Sequence, residues 1–194
     1  MTTRRSFFKQ AGIGTAAWAG ACGLAAGCAT APRIRPTPAA STDPFRLGIA
    51  GYTFHKFTLT QTLEMLRKID VRFLCIKDFH LPLASTEQEI ADFHETCRTY
   101  GVTGYGVGPI YMSTDEEVDA AFAYAKRVGT RTLVGVPYDR DGKKRVASAR
   151  VLRRVQDRVR EHDICFAIHN HGPDMPELFP TAESAMGMIA DLDP

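Results

Sequence analysis

The chain has 194 residues, 24 basic and 22 acidic side chains, a formal net charge of +2, and 44% hydrophobic residues. With the two signs interspersed, that balance gives no general attraction to nucleic acid or to an anionic surface. Its five cysteines are too scattered for a disulfide framework.

In chain order, residues 1–28 come first, with the three parts of an export signal: a short basic start, an uncharged apolar middle and a small-residue end. Ala11 to Gly27 is mostly Ala and Gly. That run is too weakly apolar for a membrane span of about 20 residues, and it has no one-sided stripe for an amphipathic helix. The stretch Thr3-Arg4-Arg5-Ser6-Phe7-Phe8-Lys9 resembles the twin-arginine export motif, with Arg4 and Arg5 as the pair that the export machinery reads.

Leu24-Ala25-Ala26-Gly27-Cys28 resembles a lipobox, which makes Cys28 the acylated first residue of the mature protein and gives it a lipid anchor in the membrane. Leucine stands one place further upstream than that pattern prefers. Ala29-Thr30-Ala31 offers ordinary signal peptidase an alternative site, although Pro32 directly after it opposes cleavage. These resemblances imply an exported protein, periplasmic or held as a membrane-anchored lipoprotein, that folds in the reducing cytoplasm before transport. Residues 29–44, with Pro32, Pro36, Pro38 and Pro44 and no apolar periodicity, read as an extended tether.

From Phe45 onward about 150 residues remain, enough for one domain with a core of its own. Short β-branched runs alternate with amphipathic patterns, the signature of βα units around a parallel sheet. The expected strands are Arg46 to Tyr52, Val71 to Asp78, Val102 to Val107, Thr132 to Pro137 and Ile164 to Asn170. The expected helices are Leu59 to Lys68, Thr86 to Tyr100, Asp115 to Val128, Lys144 to His162 and Thr181 to Asp191. Ile90, Phe93 and Cys97 recur on one helical face, as do Val118, Phe122 and Ala125. Thr86 before Glu89 and Thr114 before Glu117 are capping-box signals.

In the last strand Ile164, Phe166 and Ile168 are bulky while Cys165, Ala167 and His169 run from small to polar. The bulky set is expected against the helices, and the other set inside a barrel whose chemistry sits at the carboxyl ends of its strands. Arg150, Arg153, Arg154, Arg158 and Arg160 flank the apolar stripe of Val151, Leu152, Val155 and Val159, which reads as a solvated outer helix rather than a nucleic-acid patch.

Polar residues collect at the expected strand ends: Tyr52 and His55, then Lys77, Asp78 and His80, then His169, Asn170 and His171. A histidine pair one residue apart can hold a divalent metal, but such pairs are more often hydrogen-bonded to each other or to neighbours. Lys77, on an otherwise apolar strand, calls for a ligand or a carboxylate, and Asp78 is the nearest one. His80 either donates to a sugar hydroxyl or ends its strand. Gly104-Tyr105-Gly106-Val107-Gly108-Pro109 lacks the following helix and Lys-Ser/Thr pair of a phosphate cradle. Small residues in a narrow barrel account for it better.

Together, Gly51-Tyr52-Thr53-Phe54, Ile76-Lys77-Asp78-Phe79-His80-Leu81-Pro82, Tyr105-Gly106-Val107-Gly108-Pro109 and Phe166-Ala167-Ile168-His169-Asn170-His171-Gly172 resemble the sugar phosphate isomerase/epimerase superfamily with the xylose isomerase-like TIM barrel. The resemblance covers residues 45–194. It implies a (β/α) barrel, a small-molecule sugar as substrate, and a divalent metal (Mn, Mg, Co or Zn) that polarises a sugar carbonyl and stabilises an enediolate. It further implies Lys77 and His80 as catalytic residues, Tyr52, His55, Asn170 and His171 as sugar contacts, and His169 as a metal ligand.

His169 stands where the family usually has Glu. The sequence given reaches only to Asp193-Pro194, where the resemblance would begin a sixth strand, so the later metal ligands of the family are not in it. For these residues alone the expectation is a C-terminally incomplete barrel of about five βα units that does not turn over sugar and is aggregated, homo-oligomeric through its open edges or only partly folded. A free or oxidised sugar is expected rather than a phosphorylated one, given the export signal. The alternative is a non-catalytic carbohydrate-binding lipoprotein. A metal-dependent endonuclease on the same barrel is disfavoured by the lack of a basic groove.

Overall fold

A computed structural model of the chain describes residues 46–172 and 174–192. Arg4, Arg5, Cys28 and the tether lie outside the described residues. The elements in order are β1 (Gly48–Ala50), α1 (Leu59–Lys68), β2 (Phe73–Ile76), α2 (Glu87–Thr99), β3 (Thr103–Met112), α3 (Asp115–Val128), β4 (Thr132–Asp141), β5 (Lys144–Ala147), α4 (Ala149–His162), β6 (Cys165–Ile168) and α5 (Ala182–Ala190). A 3-10 turn, Gly51–Phe54, follows β1.

Four of the helices begin at a threonine for the same reason. The hydroxyls of Thr58, Thr86, Thr114 and Thr181 accept the N–H three residues on, while the side chains of Gln61, Glu89, Glu117 and Ser184 reach back to the cap N–H. Each pair satisfies backbone donors that a helix start leaves open. α3 stops at Gly129, whose left-handed φ of 73° places its N–H on the carbonyls of Ala125 and Lys126.

The sheet runs β1-β2-β3-β4-β6 with every pairing in that series parallel, and β5 turns back antiparallel on β4. This is a mixed α/β half-barrel of about five βα units, an incomplete TIM barrel. The helical faces expected from periodicity are the buried ones: Ile90, Phe93 and Cys97 of α2, Val118, Phe122 and Ala125 of α3, and Val151, Leu152 and Val155 of α4. They close one core with Leu74, Ile76, Val107 and Leu133 of the strands. Burying each large side chain contributes about 1.5–3 kcal/mol.

The helix expected from Lys144 is corrected by the structure: Lys144–Ala147 is strand β5, and α4 starts only after Ser148, whose hydroxyl accepts the Val151 N–H. Gly142-Lys143, with Gly142 at φ 58°, makes the two-residue turn of a β4–β5 hairpin. β3 and β4 also run further than expected, to Met112 and Asp141, whereas β1 ends at Ala50 and leaves Tyr52 on the 3-10 turn.

Phe166 and Ile168 pack on the core, and Phe166 stacks on Phe122 at 6.3 Å between ring centroids. The alternate residue Cys165 is therefore on the opposite face of β6, where it is exposed while Cys75 and Cys97 are buried. α5 has no buried residue, and an apolar cleft of about 580 Å³ lies between it, α4 and β6.

The glycine run of β3 packs closely on a neighbouring strand, as its small size suggested. A Cβ on Gly108, at φ 124°, would stand 2.2 Å from the Val134 carbonyl oxygen. The arginines of α4 are anchored rather than free: Arg154 and Arg158 both grip Asp119 of α3, at 2.7 and 2.6 Å, and Arg150 reaches Asp139 at 2.7 Å.

Candidate functional site

β2 and β6 deliver the polar residues of the rim. Lys77 follows the last residue of β2, and its ammonium donates to Asp78 Oδ1 at 2.7 Å and to the Pro109 carbonyl at 3.2 Å. Its side chain is only 13% exposed, so the carboxylate partner that an apolar strand calls for is the adjacent one. Gly51 permits this packing: a Cβ there would meet the Cys75 carbonyl oxygen at 2.6 Å and Lys77 Cβ at 3.1 Å.

His169 and His171 follow β6 and stand edge to face, 5.0 Å between centroids. Burial, then His171, then Lys77 hold the His169 imidazole below its usual pKa, so it is uncharged at neutral pH. The His171 backbone N–H is bonded to the carbonyls of Leu178 and Phe179 at 3.2 Å each. Its Nε2 lies 2.7 Å from the Tyr111 hydroxyl, and its Nδ1 is buried without a partner. His171 and Lys77 thus both act on His169.

Tyr52 and His55 are exposed and stack on each other at 5.3 Å, with His55 Nδ1 3.1 Å from the Tyr52 carbonyl. Asn170 is exposed. His80 does not join the histidine pair: its Nε2 lies 3.1 Å from the Phe57 carbonyl and 3.3 Å from the Thr62 hydroxyl. Burial lowers its pKa, and it ties the segment before α1 to the loop after β2.

Among the described residues no group of three His, Cys, Asp or Glu could hold a metal ion. His169 and His171 are two imidazoles without a carboxylate, one already engaged by Tyr111, with the Lys77 ammonium acting on His169. A cation beside two neutral donors opposes a divalent ion, so the described residues do not fit a metal centre by themselves.

Sequence reasoning missed three members of this region. Tyr111 comes from the extension of β3, Tyr138 from that of β4, and Arg145 from β5. Arg145 lies over both rings, 4.8 Å from the Tyr111 centroid and 5.2 Å from that of Tyr138. Val136, Tyr138, Leu178 and Tyr111 make a small second apolar cluster beneath His171. The Gly142-Lys143 turn signal could have revealed the hairpin that brings Arg145 here.

No family model matches the sequence, and no curated protein matches it. Solved structures do. An uncharacterized protein from Parabacteroides distasonis ATCC 8503 superposes with a TM-score of 0.61 at 20% identity, covering 77% of this chain and 60% of the other. A xylose isomerase domain containing protein from Salmonella typhimurium LT2 gives 0.57 at 17%, covering 75% and 56%. An AP endonuclease, family 2, from Brucella melitensis gives 0.54 at 15%, covering 75% and 64%.

The chain spans less than two thirds of the length of each of these proteins. At such identities the likeness establishes the fold alone, a TIM barrel of the kind seen in the xylose isomerase domain containing protein. Because this barrel also carries an endonuclease, the choice of chemistry rests on the site.

Proposed function

We propose that this chain belongs to an exported sugar isomerase/epimerase-type protein whose sugar sits at the Lys77–His169–His171 rim. The observation that carries the reading is a nearly buried ammonium at the carboxyl end of β2 together with a pair of imidazoles, 5.0 Å between centroids, at the carboxyl end of β6. Barrel enzymes place their chemistry at those ends. An isomerase or epimerase needs a group to accept the proton beside a sugar carbonyl, and a positive group for the oxyanion that results. Neutral His169 suits the first role and the Lys77 ammonium the second, with His171 held by Tyr111 to bond a sugar hydroxyl.

A divalent metal, as the resemblance implies, would take the His169 lone pair in place of the proton and draw its carboxylates from outside the described residues. The export signal, the Cys28 lipid anchor and the pairing of open edges into a homo-oligomer belong to the same proposal. Pairing of the α4 arginines with Asp119, Asp115, Asp139 and Glu161 favours a sugar over a nucleic-acid substrate, since it leaves these charges less free for phosphates.

The test is a titration of the protein with aldoses and ketoses, following the imidazole signals of His169 and His171 by NMR. Saturable shifts of both are expected, with affinity about 10-fold weaker in Lys77→Met, equivalent to about 1.4 kcal/mol. No shift of either imidazole with any sugar would remove the rim as a sugar site. The same samples in D2O separate enzyme from binding protein: deuterium entering the sugar beside its carbonyl marks catalysis.

A further inference from the structure

The β4–β5 hairpin carries a concentration of cations that the proposed sugar chemistry does not use. Arg140, Lys143, Lys144 and Arg145 line a cleft of about 290 Å³ together with Asp174, Glu177 and Leu178. Four basic groups there face two carboxylates. Lys144 and Glu177 neutralise each other at 2.6 Å, which leaves Arg140, Lys143 and Arg145 against Asp174.

Arg145 is the residue that joins this cleft to the rim. Its guanidinium is exposed and lies over the Tyr111 and Tyr138 rings, and among the described residues it makes no ion pair with a carboxylate. Cation–π contact with both rings holds the guanidinium in place while its exposure leaves N–H groups for an anion, which arginine takes through two parallel hydrogen bonds. From Tyr111 the contacts continue through its hydroxyl to His171, and from His171 edge to face to His169.

The cleft is held in register with the rim from both sides. The Ala147 N–H donates to the Glu177 carbonyl at 2.8 Å, and the His171 N–H bonds the carbonyls of Leu178 and Phe179. Buried Leu178 belongs to the apolar cluster under both. A volume of about 290 Å³ is at the low end for a small-molecule site, so it suits one end of a ligand rather than the whole of a large one.

We propose that the hairpin cleft is an anion subsite, and that the sugar taken by the rim carries an anionic group, a carboxylate or a phosphate ester, held by Arg145 with Arg140 and Lys143. This rests on the sugar-binding reading and adds the substrate class to it. The anionic end lies against the Arg145 guanidinium while the hydroxyls reach His171 and His169. Neutral sugars make only the second set of contacts and bind more weakly. The field of the hairpin also draws anionic sugars toward the mouth, an attraction that weakens as salt is added.

The experiment compares D-glucuronate, D-glucose 6-phosphate and D-glucose by calorimetric titration of the whole protein and of Arg145→Gln, Arg145→Lys and Arg153→Gln. At least one of the two anions is expected to bind about 10-fold or more tightly than glucose, the preference that one charge-assisted arginine contact confers. The tighter of the two names the source of the anion.

Arg145→Gln should bring the anion down to the affinity of glucose, and Arg145→Lys should restore only part of the preference because lysine lacks the fork. Arg153→Gln removes the same charge from the exposed side of α4 and should keep the preference. Equal affinity for all three ligands overturns the subsite and leaves the sugar reading standing. A preference that survives Arg145→Gln overturns the assignment to this hairpin. Failure of all three to bind or to move the His169 and His171 signals overturns the subsite together with the sugar reading.

Discussion

Replacing Gly51 by alanine tests how the end of β1 positions Lys77. Gly51 begins the 3-10 turn, and its backbone lies so close to β2 that an added Cβ would meet the Cys75 carbonyl oxygen at 2.6 Å, Lys77 Cβ at 3.1 Å and Lys77 N at 3.2 Å. An unstrained carbon–oxygen contact is about 3.3 Å or more, so turn and strand must part by roughly 0.7 Å. The nearest obstacle is backbone, which cannot rotate away as a side-chain tip would.

Overpacking of this kind costs about 1–3 kcal/mol. At about 2–4 °C per kcal/mol for a domain of this size, the melting temperature should fall by about 2–12 °C. Gly129→Ala is the comparison, because nothing lies within 4 Å of its added Cβ and only its φ of 73° is unfavourable. Its cost is about 1–2 kcal/mol, from backbone conformation alone. Differential scanning calorimetry gives both numbers, and the His169 imidazole signal should move in Gly51→Ala but not in Gly129→Ala. A Gly51→Ala protein melting within about 1 °C of the parent, with His169 unmoved, would refute the close-approach argument.

Four further outcomes are expected. Native protein treated with iodoacetamide at pH 8 should label Cys165 and spare Cys75 and Cys97, whose thiols burial pushes up to about 11, and peptide mapping after a short exposure reads the difference. Asp119→Asn should cost about 1 kcal/mol at pH 7, a value kept small because the carboxylate is 40% exposed. Arg154, then Arg158, depress the pKa of Asp119 in the folded state, so its contribution is complete above the unfolded value of about 3.9 and fades as pH falls through the folded one. Denaturant titrations of parent and variant should therefore converge in acid. Replacing Arg4 and Arg5 by lysine should keep the protein in the cytoplasm, and Cys28→Ser should move it from membrane to soluble fractions; cell fractionation reads both.

Local physics made much of this protein legible from its residues. Thr86 with Glu89 and Thr114 with Glu117 announce helix starts because the bonds they make span one turn. The spacing of Ile90, Phe93 and Cys97 announces a buried face because 3.6 residues complete a turn. Alternation in β6 likewise assigned Phe166 and Ile168 to the core. Lys77 stood out because a charge on an apolar strand requires a partner, which Asp78 provides at 2.7 Å.

What pattern could not supply was decided by contacts distant in sequence. Lys144 to Ala147 continues the helical-looking stretch that follows it, yet pairing with Tyr138 to Asp141 makes it a strand, because cross-strand bonds outweigh a weak local propensity. His80 ends a motif that suggests chemistry, but the fold turns its ring to Phe57 and Thr62. Tyr111 lies 60 positions before His171, and only the parallel register of β3, β4 and β6 brings the hydroxyl to the imidazole. The sequence by itself determined most of the elements and the buried faces of α2, α3 and α4, since these follow from neighbours within a few residues. Only the tertiary structure decided which polar side chains share a site, because that depends on register and on loops folding back across the ends of the strands.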